Sequence, residues 1–326
     1  MSDGTDPTQV AIACQGGGSH TAFTAGVLQG LLAEWEPSTR LVGISGTSGG
    51  AFNALATWYG LVTSDEDRAI ELLDAIWNDL AVSGVRDWLA NGWLLGTHRL
   101  EAMGMPLPRL RPYQTPASGI GQDRIREALE SNLDFDAIPE LCERRTPELV
   151  VGTVNINAGV FETFTNEEVT TEAVLASAAI PELFEAVEID GHYHWDGLFS
   201  QNPPIDDLMT VDAVRKPDEL WVVQINPQER RGEPSSTEEI ANRRNELAGN
   251  ISLNQELRFV ERVNDWVDRG RLPAERFART RIERISMDEK YSAASKVDRS
   301  SEFIDDLMER GRRKATEFRQ NRGTDR

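Results

Sequence analysis

Short apolar runs alternate with stretches of helical periodicity through the first part of the chain. Gln9-Val10-Ala11-Ile12-Ala13-Cys14 is short and apolar, the pattern of a buried strand. From about His20 to Glu36, apolar residues return at four-residue spacing, with Phe23, Val27 and Leu31 on one helical face. Leu41-Val42-Gly43-Ile44 repeats the strand pattern, and Ala51 to Trp58 reads as a second helix with Gly60 at its end. Strand, helix, strand, helix predicts a parallel sheet covered by helices. Residues 65–82 predict a further amphipathic helix, with Ile70, Leu73, Ile76, Trp77 and Leu80 turned inward.

Beyond residue 148 the pattern shifts toward hairpins. Leu149 to Val154 reads as a strand, and Asn157-Ala158-Gly159 turns it into a partner at Val160 to Phe164. Val174 to Pro181 is a run of small residues, read as a short helix stopped by proline. Ala186 to Ile189 and His192 to Trp195 flank Asp190-Gly191, a strong two-residue hairpin signal. Asp196-Gly197 follows at once, and Leu220 to Ile225 is the next core strand. After Pro227 the chain turns strongly charged. A loop at 230–236 leads into a long helix to about Arg269, with Leu257, Val260, Val263 and Val267 on one face. Arg281 to Ile285 predicts an edge strand, and a last helix spans about Ser300 to Gln320 with Phe303, Leu307, Gly311 and Phe318 along a stripe. The organisation expected is a core over residues 8–226 and a charged, mainly helical C-terminal extension over 227–326 packed on it. The irregular stretch 84–116 carries Trp88, Trp93 and several prolines. It fits a lid over an apolar substrate and equally a satellite core beneath a long loop.

Charge changes the picture more than composition does. The chain has 326 residues, is 39% hydrophobic and carries a net charge of -20. Its lysines stand at 216, 290, 296 and 314 alone, so the cations are nearly all arginine. Such a surface argues against nucleic acid, whose binding rests on basic contacts to phosphate. It argues equally against electrostatic docking on anionic headgroups. Self-repulsion on this scale is relieved by salt, and the acid-rich, lysine-poor balance resembles proteins of halophiles. The melting temperature should therefore rise markedly from dilute buffer to molar KCl in scanning calorimetry. A flat or falling curve would refute the halophilic expectation. No run of about 18 apolar residues predicts a membrane span, and the acidic start Met1-Ser2-Asp3-Gly4-Thr5-Asp6 is unlike a secretory signal. Cys14 and Cys142 read as buried thiols in a reducing cytoplasm. No Cys/His spacing suggests a metal, and no cofactor is expected.

Two stretches carry candidate chemistry. Gly46-Thr47-Ser48-Gly49-Gly50 lies between a predicted strand and a predicted helix, the setting of a nucleophile elbow. Small flanking residues let the turn be sharp, and the serine hydroxyl stands at the N-terminus of the next helix. Gly16-Gly17-Gly18 follows the first strand. It could cradle phosphate, but no Lys-Ser/Thr follows for a P-loop and the third glycine of G-x-G-x-x-G is missing. Beside a serine elbow, such backbone suits an oxyanion hole. The histidines are His20, His98, His192 and His194, so the late histidine of an α/β-hydrolase triad is absent. His194 and Asp196 are two residues apart on a strand and share a face.

Three blocks together resemble the patatin-like phospholipase family: Gln15-Gly16-Gly17-Gly18-Ser19-His20, Gly46-Thr47-Ser48-Gly49-Gly50 and Asp196-Gly197-Leu198. Ala176 to Pro181 and Asn202-Pro203-Pro204 also look like family segments, so the resemblance covers residues 8 to about 226. It implies an α/β fold, a three-layer α/β/α sandwich with a mostly parallel central sheet. It implies a Ser-Asp dyad without histidine: Ser48 as nucleophile, Asp196 as proton acceptor, and Gly16, Gly17 and Gly18 as the oxyanion loop. Gly46, Gly50 and Gly197 complete the motifs. His20, Thr21 and Leu198 depart from the usual pattern, which bears on pocket shape. The expected activity is hydrolysis of phospholipid or glycolipid acyl esters, with the protein cytoplasmic and meeting its lipid at a membrane surface. A stored polyester such as polyhydroxyalkanoate, met at a granule surface, is the alternative substrate. A lipid-binding member of the fold is the non-enzymatic alternative, and a nucleotide-binding protein fits least.

Overall fold

The computed structural model describes residues 6–82, 113, 116–142, 146–181, 183–210, 216–273, 277–289, 291–292 and 294–324. The stretch 84–116, apart from Tyr113 and Pro116, and with it His98, lies outside the described residues.

The strands are β1 (Thr8–Cys14), β2 (Thr39–Gly46), β3 (Glu148–Asn155), β4 (Val160–Thr165), β5 (Val187–Ile189), β6 (His192–Asp196), β7 (Glu219–Gln224) and β8 (Arg281–Ser286). The helices are α1 (Ala22–Leu32), α2 (Gly49–Thr63), α3 (Glu66–Leu80), α4 (Pro116–Glu130), α5 (Ile138–Leu141), α6 (Thr171–Ser177), α7 (Asp206–Thr210), α8 (Thr237–Asp268) and α9 (Ser301–Thr324). All eight strands form one sheet. Strands β3, β2, β1, β7 and β8 run parallel, in that order. Strands β4, β5 and β6 join antiparallel at the β3 end.

Alternation along β1 and β7 divides the core between two faces. Val10, Ile12, Cys14, Trp221 and Val223 pack with α1, α2, α3 and α9. Ala11, Ala13, Leu220 and Val222 pack with α7 and α8, through Leu208, Leu253, Leu257 and Val260. The result is a helical layer on each face of a mostly parallel sheet, as expected. Strand β8 lies at the sheet edge, paired with β7, where the Arg281–Ile285 pattern predicted an edge strand. The Asp190-Gly191 hairpin also forms, with φ of 51° and 79°, the left-handed pair that such a turn requires.

Three expectations are corrected. Gly60 does not stop α2, which continues to Thr63. A Cβ at Gly60 would overlap the backbone of Ala69, so the glycine marks where α3 crosses α2 at close range. The first helix begins as a 3-10 turn at Gly18–Thr21 and ends at Leu32, short of Glu36. Cys142 is half-buried, although burial still pushes its thiol up to about 11. Cys14 is fully buried and its thiol pKa is raised by desolvation.

The sheet places the site through β3. Strand β4 runs along β3 from Val150 to Asn155 on one edge. The opposite edge is shared. Strand β2 occupies it from Glu148 to Val151, and β6 from Thr153 to Asn155. Strand β2 leaves the sheet after Gly46, and β6 arrives from the other direction to fill the vacated edge. Gly46 is paired with Val151 and Asp196 with Thr153. At about 3.3 Å per residue, the end of β2 and the end of β6 stand roughly 7 Å apart along that edge. No helix among the described residues is long and apolar enough to cross a membrane.

Candidate active site

Ser48 sits between β2 and α2 with φ 57° and ψ -131°. A non-glycine residue in that region carries strain of order 1–3 kcal/mol, held by the surrounding structure. The surroundings are visible. The Ser48 N–H donates to Ser177 Oγ at 2.9 Å. The Ser177 hydroxyl donates to the Gly152 carbonyl at 2.7 Å. The Thr47 hydroxyl donates to the Gln201 carbonyl at 2.8 Å. A side chain at Gly46 would overlap the Gly50 backbone, so the elbow closes only around glycine. Ser48 is 5% exposed.

Asp196 ends β6 and is 1% exposed. Its Oδ1 accepts the Leu198 N–H at 2.8 Å, and its own N–H donates to the Ala179 carbonyl at 3.0 Å. Gly197 lies against the Gly152 backbone, where a Cβ would crowd it. The elbow is thus tied through Ser177, at the end of α6, to Gly152 of β3, and the aspartate lies opposite the next residue, Thr153.

The glycine loop is clamped from both sides. The Gly16 N–H donates to Asn202 Oδ1 at 2.6 Å. The Gly16 carbonyl accepts from Asn226 Nδ2 at 3.1 Å and Asn202 Nδ2 at 3.3 Å. Gln15 Oε1 takes the Ile225 and Asn226 N–H groups at 3.0 and 2.8 Å, and Gln15 Nε2 donates to Asn250 Oδ1 at 3.0 Å. On the other side Asn53 of α2 donates to the Thr21 carbonyl at 2.8 Å and accepts from Trp77 Nε1 at 2.7 Å. Gly16, expected as an oxyanion donor, thus has its amide engaged by Asn202. The Gly17 and Gly18 N–H groups have no hydrogen-bond partner among the described residues. Gly18 opens a 3-10 turn, where the first amides have no intrahelical acceptor.

Among the described histidines, His194 and His20 have ring nitrogens engaged by other residues. His194 shares the Asp196 face of β6, as alternation predicts, but its Nε2 meets Glu162 Oε2 at 2.9 Å and its Nδ1 the His192 carbonyl at 3.2 Å. His20 Nε2 meets Ser295 Oγ at 2.7 Å, and its ring packs against Tyr291 and Phe303. Burial, with the positive charges of Lys296 and Arg230 behind it, pushes the His20 imidazole down to about 3. His192 is exposed at the hairpin.

Sequence reasoning gave no role to Asn226, Asn250, Asn53 and Lys296, and took Ser177 only as part of the Ala176 to Pro181 segment. Asn202 stood out through its Pro203-Pro204 neighbours. Of the others, Asn53 alone carries a local signal, as an amide within a largely apolar helix; the rest take their meaning from contacts far away along the chain.

A sequence profile described as patatin-like phospholipase matches residues 12–209. No curated protein matches the chain. Among solved structures, the chain is similar to VipD from Legionella pneumophila, with 13% identity and a TM-score of 0.42, over 96% of this chain and 67% of that one. It is also similar to the heterodimeric ExoU–SpcU complex of the type III secretion system of Pseudomonas aeruginosa. There the identity is 13% and the TM-score 0.38, over 97% of this chain and 52% of that one. The chain thus spans about half the length of the second of these.

Proposed function

Because the chain belongs to the patatin-like phospholipase family, a family of lipid acyl hydrolases, we propose that it cleaves lipid acyl esters with Ser48 as nucleophile and Asp196 as base. The observation that carries this reading is the shared β3 edge. A strained serine follows β2 and a buried aspartate ends β6, and the ends of these two strands lie two residues apart on that edge, which supports the pairing.

The chemistry follows from the groups present. Asp196 takes the Ser48 proton as the hydroxyl attacks the ester carbonyl. Negative charge develops on the carbonyl oxygen, and the Gly17 and Gly18 amides are the donors left to receive it. Gly16 acts differently: its amide, tied to Asn202, fixes the loop. Water activated by the same carboxylate then clears the acyl-enzyme. The fixed amide network means the donors need not reorganise during the reaction, which is what makes such a site effective.

A surface of net charge -20 favours neutral or zwitterionic lipids over anionic ones. Digestion of a total lipid extract, with products identified by mass spectrometry, tests the substrate. The expected result is free fatty acid with matching lysolipid, absent with the Ser48→Ala variant. Intact lipids alongside depolymerised polyhydroxyalkanoate would replace lipid by polyester as the substrate.

A further inference from the structure

Behind the glycine loop lies a cluster of charges that the dyad does not use. Glu246 of α8 is fully buried. Arg230 grips it through Nε and Nη2, at 2.8 and 2.6 Å. Arg243 reaches it at 3.2 Å. Lys296 Nζ stands 3.9 Å from Glu246 Oε1 and donates to Asn226 Oδ1 at 3.2 Å. Three cations around one carboxylate leave an excess of positive charge, in a chain that is otherwise strongly acidic.

The hydrogen bonds form a directed chain. Lys296 Nζ donates to Asn226 Oδ1. Asn226 Nδ2 donates to the Gly16 carbonyl. That carbonyl belongs to the same peptide group as the Gly17 N–H, one of the two loop amides with no partner among the described residues. Donors stacked behind a carbonyl polarise the peptide and strengthen its N–H as a donor. We infer that Lys296 is a positioning residue, which through Asn226 polarises the Gly16–Gly17 peptide and so strengthens the oxyanion hole. The inference rests on the Ser48 reading above and adds to it a residue from the C-terminal part of the chain, beyond the family match at 12–209.

The geometry makes this contribution depend on pH. Burial pushes the Lys296 ammonium down to about 8, with Glu246 opposing and Arg230 assisting. The groups facing it are Glu246, Arg230 and, across the carboxylate, Arg243. On the glycine-loop side stands His20, and Tyr291 is held by Arg230 through its carbonyl at 3.2 Å. Burial works against the Glu246 charge, yet Arg230 and Lys296 hold its pKa below the ordinary glutamate value. Tyr291 is raised by burial and His20 titrates far lower, so neither changes charge near pH 8. The ammonium is present below its pKa and lost above it. The polarising chain is therefore charged at neutral pH and weakened in alkali, where the neutral amine is a poorer donor.

The test is the pH profile of kcat on a soluble short-chain ester, followed by titration of the released acid. The wild type should lose about tenfold in kcat through a single ionisation near pH 8, an effect smaller than removal of a direct oxyanion donor. Lys296→Met should sit about tenfold low at neutral pH, with KM unchanged and that limb absent. Lys296→Arg, which keeps the charge, should recover most of kcat and hold it into more alkaline solution. In an Asn226→Ala background, Lys296→Met should cost little more, since the chain is already cut. A folded Lys296→Met with wild-type kcat, or with the same limb near pH 8, would overturn the inference. So would an undiminished tenfold loss in the Asn226→Ala background. A dead Ser48→Ala beside a fully active Lys296→Met would remove the relay and leave the dyad standing; an active Ser48→Ala would remove the dyad itself.

Discussion

Ser48→Ala should lower kcat on any ester by at least about four orders of magnitude, the scale seen when a nucleophile that works with its base is removed. The fold should survive, because the side chain makes no packing contact that alanine lacks apart from its hydroxyl. The strain at this position allows a sharper expectation. Ser48 has φ 57°, and alanine inherits the same conformation. Glycine adopts it freely. Ser48→Gly should therefore be equally inactive but more stable than Ser48→Ala by about 1 kcal/mol, once the usual entropic cost of glycine is set against relief of strain. Circular dichroism with urea titration reads the stability, and ester turnover reads the activity. A folded Ser48→Ala with undiminished turnover would remove Ser48 as nucleophile. Equal stability of the two variants would show that the elbow conformation stores no strain.

The second large effect separates a dyad from a triad. Asp196→Asn should abolish both acylation and deacylation, since one carboxylate serves both steps. The side chain keeps its shape, so the Leu198 contact at 2.8 Å, made to Oδ1, can persist and the variant should fold. If a histidine were the base, Asp196 would merely orient it. The structure engages both candidates elsewhere. His194 is held by Glu162, and His20 is tied to Ser295 with its imidazole pushed down to about 3, which leaves it a feeble base at neutral pH. Alanine at His98, His192 or His194 should retain most of the activity. His20→Ala should cost more, because its ring fills the space between the glycine loop, Tyr291 and Phe303. A loss at His194 as deep as that at Ser48, in a folded variant on the same soluble ester, would overturn the dyad.

The legible parts of the site were those whose cause is local. The elbow could be read because a strand, a tight turn and a helix each leave a mark within a dozen residues. The Asp190-Gly191 turn could be read because two adjacent left-handed residues demand that pair. Gly60 misled for the opposite reason. Its cause is Ala69 on a crossing helix, and a glycine near the end of an apolar run looks the same whether it stops a helix or admits another. The proposed pairing of Ser48 with Asp196 was expected from resemblance alone. Physically it depends on β6 taking the edge of β3 that β2 gives up, and nothing in either strand announces that. The amides that fix the glycine loop are harder still. Gln15 and Asn202 stand in motif segments, but Asn226 and Asn250 are ordinary polar residues in the sequence, and the role of all four lies in hydrogen bonds that span up to 235 positions. Asn53 is an amide buried in a largely apolar helix, a signal that could have been followed, since a buried amide needs partners.

In the proposed mechanism Ser48 carries the acyl group. The most direct measurement is covalent labelling with a fluorophosphonate, which reacts with activated serines, followed by intact-mass analysis and peptide mapping. The expected result is a single adduct on Ser48, no adduct on Ser48→Ala, and labelling of Asp196→Asn slowed in step with its loss of turnover. An adduct on another residue, or full labelling of Ser48→Ala, would contradict it.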